Sequence, residues 1–267
     1  MSTVDNRTTP AGFSAIREDR VLRVTLTNPA RKNAIDYHTM VALGDLFTTV
    51  GEDRAVRAIV LTGEGRDFCT GADLSGVEAN VQRGITPELT MDAANRMVRT
   101  LLDVPVPVVA SIRGAAAGVG VALALAADIT YAASDSYLLL AFINVGLMPD
   151  GGAAAMVAAA AGRARAAELA LLGERLPAVE AAAAGLITRA VPVEELDAIV
   201  AKAVAKLAHG PRRAQQLTKR ALNEASLSTL DAALAAEKAG QVELLDSPDF
   251  AEGAIAMLTK RKPVFGD

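Results

Sequence analysis

Tryptophan is absent from this chain of 267 residues, and aromatic residues make up only 3% of it. Few side chains are therefore available to stack on nucleotide bases. The net charge of -4 is spread over interspersed acidic and basic residues, so the sequence offers no basic track for a phosphate backbone. We predict that nucleic acid is not a partner.

Cysteine is almost as scarce, because Cys69 is the single one and no internal disulfide can form. The polar N-terminal segment MSTVDNRTTPAG contains no apolar stretch of the signal-peptide kind. The longest apolar run ends before Asp128 and is shorter than the ~20 residues that span a bilayer. These features predict a cytoplasmic protein without membrane association.

Motifs for metals and cofactors are also missing. The chain has no HExxH, CxxC or GxxxxGK sequence, so we predict neither a metal nor a separate cofactor. The stretch GVGVAL at 118–123 matches part of the dinucleotide fingerprint, but Leu123 stands where its third glycine belongs. Cys69 is predicted to be a packed thiol, and His38 and His209 are predicted to have surface or capping roles.

Short β-type runs alternate with helical stretches along the first two thirds of the chain, which predicts an α/β fold. Residues 14–29 alternate as a hairpin would, and paired strands suggest repeating β-β-α units. Further strands are predicted within 55–65, 104–114, 127–134 and 136–143, and helices at 36–50, 87–103, 118–127 and 151–161.

From residue 177 onward the pattern is helical. Apolar residues recur at three- and four-residue spacing from Val193 to Leu207, and Gly210 with Pro211 ends that helix. Two more amphipathic helices follow. We therefore predict a core at 1–200 and a helical oligomerisation region at 201–267, because helices beyond a finished core usually dock on another subunit.

Five segments occur in a characteristic order. They are NPARKNAID (28–36), RDFCTGADL (66–74), SIRGAAAGVGVALALAAD (111–128), GLMPDGG (146–152) and EGAIAMLTKRKPVF (252–265). Together they resemble the enoyl-CoA hydratase/isomerase (crotonase) family over nearly the whole chain. The resemblance implies a crotonase-like spiral of β-β-α repeats with a C-terminal helical trimerisation region, an acyl-CoA thioester substrate, and a homotrimer or dimer of trimers.

Two of these segments predict an oxyanion hole. The turn TGAD and the glycine-rich helix start AAAGVG let the backbone approach a ligand and leave N–H groups unpaired. By the resemblance, those N–H groups belong to Ala72 and Val119. They would stabilise the enolate of a thioester, assisted by the positive end of a helix.

The side chains that catalyse hydration in the family are missing. Its two glutamates correspond here to Ala122 and Phe142, and no Asp or Glu occurs at 119–127 or 136–149. Activation of water by the usual pair is therefore unsupported. Moving a double bond needs only one base, which takes a proton from C2 of a 3-enoyl thioester and returns it at C4.

Asp150 lies where isomerases of the family carry their single acid, within the context PDGG. Burial by Phe142, Leu147 and Met148 would raise its pKa and suit it to this task. The alternative is structural, because Asp ahead of a helix is a favoured N-cap whose oxygen accepts N–H bonds from the first turn.

The resemblance also assigns the substrate-binding residues. Arg31 and Lys32 suit the CoA phosphates, and Lys262 is predicted to reach the CoA of a neighbouring subunit. Residues 75–100 are predicted to cover the acyl pocket. The remaining predicted contacts are Ala34, Ala72, Asp73, Leu74 and Phe142.

These observations lead to three hypotheses. The first is an isomerase that converts 3-enoyl-CoA to 2-enoyl-CoA, with Asp150 moving the proton. The second is a hydratase or another crotonase-type enzyme that uses Glu78, Glu88 or Asp92. The third is an acyl-CoA-binding protein without activity.

Overall fold

The computed structural model describes residues 7–8, 12–76 and 81–266, and its strands form two sheets. The larger sheet has seven strands in the order β1-β2-β3-β4-β5-β7-β10, and the smaller has three in the order β6-β8-β9. The strands are β1 (Arg7–Thr8), β2 (Phe13–Glu18), β3 (Val21–Leu26), β4 (Ala58–Gly63), β5 (Val108–Ile112), β6 (Ala115–Ala117), β7 (Ile129–Ala133), β8 (Tyr137–Leu139), β9 (Leu176–Pro177) and β10 (Arg189–Val191).

The helices begin where the sequence supplies caps or prolines. Asp36 accepts a hydrogen bond from the Thr39 N–H, and Thr86 caps the next helix ahead of Pro87. The helices are α1 (Tyr37–Val50), α2 (Pro87–Asp103), α3 (Val119–Leu125), α4 (Ala153–Leu172), α5 (Ala178–Ala183), α6 (Val193–Ala208), α7 (Arg212–Ser226), α8 (Leu230–Leu245) and α9 (Pro248–Leu258).

The predicted α/β class is confirmed. Strands β1, β2 and β3 pair antiparallel, and from β3 to β10 the large sheet is parallel. Its central strands β4 and β5 are largely buried on both faces, as parallel strands usually are. On β4, Ile59 and Leu61 join the main core, whereas Ala58 and Val60 face helix α6, in keeping with the two-residue period of a strand.

Helix α6 crosses the boundary that the sequence placed after residue 200. Its buried residues Leu196, Val200 and Val204 belong to one stripe that covers the sheet, so the whole helix is part of the core. The helices that follow α6 begin at Arg212, after Gly210 and Pro211, and Leu230, Leu234 and Phe250 from them join the main core. Helix α7 leaves Leu217 and Leu222 exposed. That these helices mediate oligomerisation stays a prediction.

Several predicted boundaries were wrong. The apolar run at 136–143 is a strand only as far as Leu139, and the 3-10 helix Ala141–Val145 follows it. Helix α4 extends to Leu172, with non-helical backbone at Gly162. The short strand β10 was not predicted, because three residues carry too little periodicity. No helix in the described ranges is long and apolar enough to cross a membrane.

Candidate active site

A cavity of about 810 Å³ lies between the first helices of the core and the C-terminal helices α8 and α9. Its lining is mainly apolar. Most of the residues that the sequence assigned to the site border this one cavity: Arg31, Lys32, Ala34, Ala72, Asp73, Leu74, Val119, Phe142 and Asp150.

Lys262 is not brought to the cavity of its own chain. Its side chain is exposed, and the neighbouring residues Arg261 and Pro263 border the cavity instead. Arg261 forms an ion pair with Glu252, whose pKa this partner lowers to about 2. Contact of Lys262 with the CoA of a neighbouring subunit stays a prediction.

The turn that contains Ala72 is fixed by a parallel bridge to Ile35. The Ile35 N–H donates to the Gly71 carbonyl at 2.9 Å, and the Asp73 N–H donates to the Ile35 carbonyl at 2.9 Å. Because Ile35 bonds the residues on either side of Ala72, the Ala72 N–H points away from this bridge. No acceptor within the described chain takes that hydrogen bond.

Val119 is the first residue of helix α3, so its N–H is one of the groups that a helix leaves unpaired. The preceding Gly118 has φ 54° and ψ -133°, a conformation that side chains with a Cβ strongly disfavour. The Gly118 N–H donates to the Leu139 carbonyl at 3.0 Å, which anchors the helix start. The anchored turn leaves the Val119 N–H at the border of the cavity.

The two turns are in direct contact. A Cβ at Gly71 would lie 3.4 Å from the Gly118 Cα, and Gly71 also has a positive φ of 98°. The residues that immediately follow these two glycines are Ala72 and Val119. The glycines therefore bring two backbone segments with free N–H groups side by side, which is the arrangement that an oxyanion hole requires.

Asp150 borders the same mainly apolar cavity. Its Oδ2 accepts a hydrogen bond from Gln241 Nε2 at 3.0 Å, whereas Oδ1 is inaccessible to solvent and has no partner in the described structure. Burial raises the pKa of Asp150 to about 6, and the Gln241 hydrogen bond opposes this shift. The neighbouring Phe142 and Leu147 are buried, as the sequence argument required.

The alternative that Asp150 is a helix cap is wrong. Helix α4 begins after Gly152, and no side chain of the turn itself caps it. The carboxylate that takes this place is Glu237 of α8, whose Oε2 accepts the Gly152 N–H at 2.6 Å. A negative charge near the helix start suits the macrodipole. Asp150 is therefore free of the hydrogen bonds that would lower its pKa as a cap.

Sequence reasoning missed Glu237 and Gln241, although a signal was present. One face of helix α8 is buried, and its residues recur at spacings of four, three and four: Leu230, Leu234, Glu237 and Gln241. Two polar residues thus continue the apolar stripe of helix α8. Buried polar side chains usually have a specific partner, so the two were candidates for contact with the site.

The carboxylates proposed for a hydratase do not reach the cavity in the described structure. Glu88 and Asp92 are exposed on α2, and Asp92 pairs with Lys238. Glu78 lies outside the described residues. The positions of the family's two glutamates are occupied by Ala122, which is fully buried, and by Phe142.

The other carboxylates at the cavity have protein partners or lie at its exposed border. Asp36 accepts two hydrogen bonds from Thr39. Asp73 contacts Arg31 at 3.4 Å and accepts hydrogen bonds from Ser75. Asp246 borders the cavity with an exposed side chain.

The remaining reactive residues stay outside the site. Cys69 is fully buried, and burial raises its pKa to about 12, so it is a packed thiol as predicted. His38 is exposed with its ring against Tyr37, and His209 ends α6 with Nδ1 2.8 Å from the Ala205 carbonyl oxygen. Across the described ranges, no cluster of His, Cys, Asp and Glu is arranged to hold a metal ion.

Part of the segment predicted to cover the acyl pocket does face the cavity. Residues 77–80 are outside the described structure, and the rest of the segment contributes an apolar wall on and before α2. That wall consists of Val81, Ile85, Pro87, Met91 and Ala94, together with Thr90.

Comparison with known proteins gives consistent matches over most of the chain. The family model described as enoyl-CoA hydratase/isomerase matches residues 17–267. A protein of Escherichia coli (strain K12) named 1,2-epoxyphenylacetyl-CoA isomerase is 38% identical over 252 residues, which cover 93% of this chain and 95% of that protein. A probable enoyl-CoA hydratase of Rhodobacter capsulatus is 39% identical over 246 residues, with 91% and 93% covered.

A solved structure supports the same relationship. The crystal structure of an enoyl-CoA hydratase from Mycobacterium avium subsp. paratuberculosis superposes with a TM-score of 0.89 at 42% identity. The match covers 96% of this chain and 99% of that one. The predicted crotonase-like fold is therefore confirmed.

Proposed function

The chain belongs to the enoyl-CoA hydratase/isomerase family, and we propose that it is an isomerase that converts a 3-enoyl-CoA into the 2-enoyl-CoA. One observation carries this proposal. Asp150 has an Oδ1 that is inaccessible to solvent and has no capping role, and it borders the same mainly apolar cavity as Ala72 and Val119, whose N–H groups have no partner among the described residues. Both glutamates of the hydration mechanism are absent, because by the resemblance their positions hold Ala122 and Phe142, which are buried apolar side chains.

In the proposed reaction, the thioester oxygen accepts hydrogen bonds from the N–H groups of Ala72 and Val119. Ionised Asp150 takes a proton from C2, and the electron pair of that C–H bond moves into an enolate whose negative charge rests on the thioester oxygen. Asp150 then returns the proton at C4, and the double bond shifts to the 2-position. Substrate and product have the same composition, so no water or oxidant takes part.

The environment of Asp150 suits both halves of this transfer. A pKa of about 6 leaves the carboxylate mostly ionised at pH 7, while making it a stronger base than an ordinary aspartate. The same value lets the protonated form give the proton back. The apolar lining near Phe142 and Leu147 excludes water, which would otherwise compete for the enolate.

The rest of the cavity suits a CoA ester with an uncharged acyl group. We assign the phosphates to Arg31 and Lys32, and the pantetheine to the turn from Ala72 to Leu74. The acyl group would then lie against Met91 and its apolar neighbours on α2. An acyl chain with a terminal charge would find few partners there.

A second candidate reaction comes from the relative named 1,2-epoxyphenylacetyl-CoA isomerase. That protein is 38% identical to this chain over 93% of its length. Its named reaction is also an isomerisation of a CoA ester, so it adds no water. We therefore include 1,2-epoxyphenylacetyl-CoA as a second substrate in the test.

The test incubates the pure protein separately with a 3-enoyl-CoA, a 2-enoyl-CoA and 1,2-epoxyphenylacetyl-CoA, and the products are resolved by chromatography and mass. Isomerisation leaves the mass unchanged, whereas hydration adds one water. Asp150→Asn keeps the size of the side chain but removes the base, so we expect it to abolish the 3-to-2 shift. Glu88→Gln is the matched control on α2, and we expect it to retain full activity because Glu88 does not border the cavity.

Other results would redirect the assignment. Hydrated product from the 2-enoyl-CoA would establish a hydratase. Tight CoA binding without any turnover would favour the binding protein. A 3-to-2 shift that survives in Asp150→Asn would exclude Asp150 as the proton carrier.

A further inference from the structure

We propose that Gln241 is a positioning residue for Asp150: from helix α8 it holds the carboxylate and the turn that carries it in the arrangement needed for proton transfer. This inference rests on the proposed function, because it treats Asp150 as the proton carrier. It assigns a role to the C-terminal part of the chain within the site itself.

Gln241 binds the turn at two points. Its Nε2 donates to Asp150 Oδ2 at 3.0 Å, and its Oε1 accepts the backbone N–H of Met148 at 3.2 Å. The Met148 N–H can only donate, so it fixes which end of the amide is oxygen and leaves the NH₂ group for Asp150. The neutral amide of Gln241 can thus donate to Asp150 and accept from Met148 at the same time.

Gln241 is buried and therefore well placed to hold a fixed geometry. Only 1% of its surface is exposed, and it borders the cavity beside Asp150. An exposed side chain would exchange its hydrogen bonds with water, but a buried amide with two protein partners has few alternatives. The hydrogen bonds span 91 and 93 residues of sequence, so they join the C-terminal helices to the PDGG turn.

Close packing holds helix α8 against this turn. A Cβ at Gly240 would lie 2.3 Å from Met148 Sδ, so a larger residue at this position would displace the Met148 side chain. One turn earlier on the same helix, Glu237 accepts the Gly152 N–H at 2.6 Å. Helix α8 thus contacts the turn two residues before and two residues after Asp150, and Gln241 contacts Asp150 itself.

The hydrogen bond also affects the charge of Asp150. An N–H donor stabilises the ionised carboxylate and lowers its pKa, against the larger effect of burial. Glu237 is the charged residue of α8 that interacts with Asp150, and burial raises its pKa to about 7, which favours its protonated form. Helix α3 contributes no charged side chain.

The other charged groups around the site are held elsewhere or lie towards the cavity entrance. On α2, Asp92 pairs with Lys238 and Arg99 pairs with Asp231. The charged residues that border the cavity besides Asp150 are Arg31, Lys32, Asp36, Asp73, Asp246 and Arg261. Gln241 is therefore the one described side chain that hydrogen-bonds the Asp150 carboxylate.

The experiment compares Gln241→Met with the wild type in the isomerase assay as a function of pH. Met has a similar length and packs well in a helix, but it cannot donate to Asp150. We expect kcat to fall by a factor on the order of 10 to 100, with KM within about threefold. We also expect the acid limb of the kcat profile to move up by about one pH unit, because the ionised carboxylate has lost its donor.

Gln241→Glu is the second variant, in case the methionine disturbs folding. Its carboxylate still accepts the Met148 N–H, but it offers Asp150 a like charge in place of a donor. We expect a larger upward shift of the acid limb than for Gln241→Met. Glu243→Gln, on the exposed face of the same helix, is the control and should leave both kcat and the profile unchanged.

A measurement without substrate separates this inference from the proposed function. The Asp150 carboxyl carbon is followed by ¹³C NMR titration, with its signal assigned by its loss in Asp150→Asn. Gln241→Met should raise the pKa of this signal even if the enzyme proves to catalyse another reaction. An unchanged Asp150 pKa in both Gln241 variants would overturn the inference, whatever the activity, because a purely structural side chain would leave the titration alone.

Discussion

The Oε2 of Glu237 accepts a hydrogen bond from the backbone N–H of Gly152 at 2.6 Å. This carboxylate is 3% exposed, and its second oxygen, Oε1, has no partner among the described residues. Burial raises the pKa of Glu237 to about 7, and the nearby charge of Asp150 adds to that shift. The first N–H of the α4 start therefore donates to a carboxyl group whose ionised form is destabilised by burial.

This arrangement predicts a pH-dependent effect on stability. A carboxyl with a raised pKa binds its proton more tightly in the folded state, so its contribution to stability is present below about pH 4.5 and is lost as pH rises to about 7. The loss amounts to at most about 3 kcal/mol. We expect Glu237→Gln to be more stable than the wild type at pH 8 by about 1 to 3 kcal/mol, because the glutamine still accepts the Gly152 N–H but carries no charge.

Urea unfolding of both proteins at pH 4.5 and pH 8 measures this effect. The free energy of unfolding should differ little at the lower pH, where Glu237 is protonated. The exposed Glu243→Gln is the control for removing a charge from α8. A difference between Glu237→Gln and the wild type that is the same at both pH values would contradict the assignment of a raised pKa.

The pH dependence of catalysis follows from Asp150. A base must be ionised to take a proton, and burial raises the Asp150 pKa to about 6. We therefore expect kcat to increase tenfold per pH unit below about pH 6 and to level off near pH 7. Initial rates with a 3-enoyl-CoA between pH 4.5 and 8 measure the profile. A rate already maximal at pH 4.5 would show that a group with an ordinary or lowered pKa limits the reaction.

The sequence predicted the parts of the site that depend on local backbone chemistry. Glycines before Ala72 and Val119 indicated two turns with unpaired N–H groups, and the structure places these turns in contact. The sequence also singled out Asp150, a lone carboxylate between proline and glycine in an apolar stretch, and the structure places it at the border of the same cavity. Each of these features is defined by a few adjacent residues, so it can be predicted from a short segment of the sequence.

What the sequence did not predict depends on contacts between distant segments. Whether Asp150 caps helix α4 was decided by Glu237, which lies 85 residues after Gly152 and accepts the N–H of that residue at the helix start. The extent of the core was decided by helix α6, whose buried stripe continues past residue 200 to Val204. The periodicity of a helix shows which face is buried, but it does not show which element covers that face.

The backbone conformation of Gly118 leads to a prediction about the oxyanion hole. At φ 54° and ψ -133°, an alanine would be strained, and relief of that strain would rotate the peptide that carries the Val119 N–H. Loss of one oxyanion donor costs a factor of about 10² to 10³ in kcat. We expect Gly118→Ala to lower kcat by a factor in this range while it retains affinity for CoA.

Gly76→Ala is the matched control. Gly76 lies in the segment after the Ala72 turn, and a Cβ there would have no neighbour within 4 Å among the described residues. Turnover of a 3-enoyl-CoA and calorimetric CoA binding should both be close to wild type in this variant. Wild-type kcat in a folded Gly118→Ala protein would argue against a role for the Val119 N–H.

Arg31 provides a test of where the CoA phosphates bind. Its guanidinium lies 3.4 Å from Asp73, and 52% of its side chain is exposed, so it is free to pair with a ligand at the cavity entrance. An exposed ion pair contributes about 0.5 to 1 kcal/mol, which corresponds to a two- to fivefold change in affinity. We expect Arg31→Gln to weaken CoA binding by this factor without changing kcat, and the difference should shrink as salt is raised.

Titration calorimetry at low and high ionic strength measures the CoA affinity, with the exposed Arg17→Gln as the control for loss of one positive charge. Equal CoA affinities for Arg31→Gln and Arg17→Gln at low salt would move the phosphate site away from Arg31, towards Lys32 or Arg261.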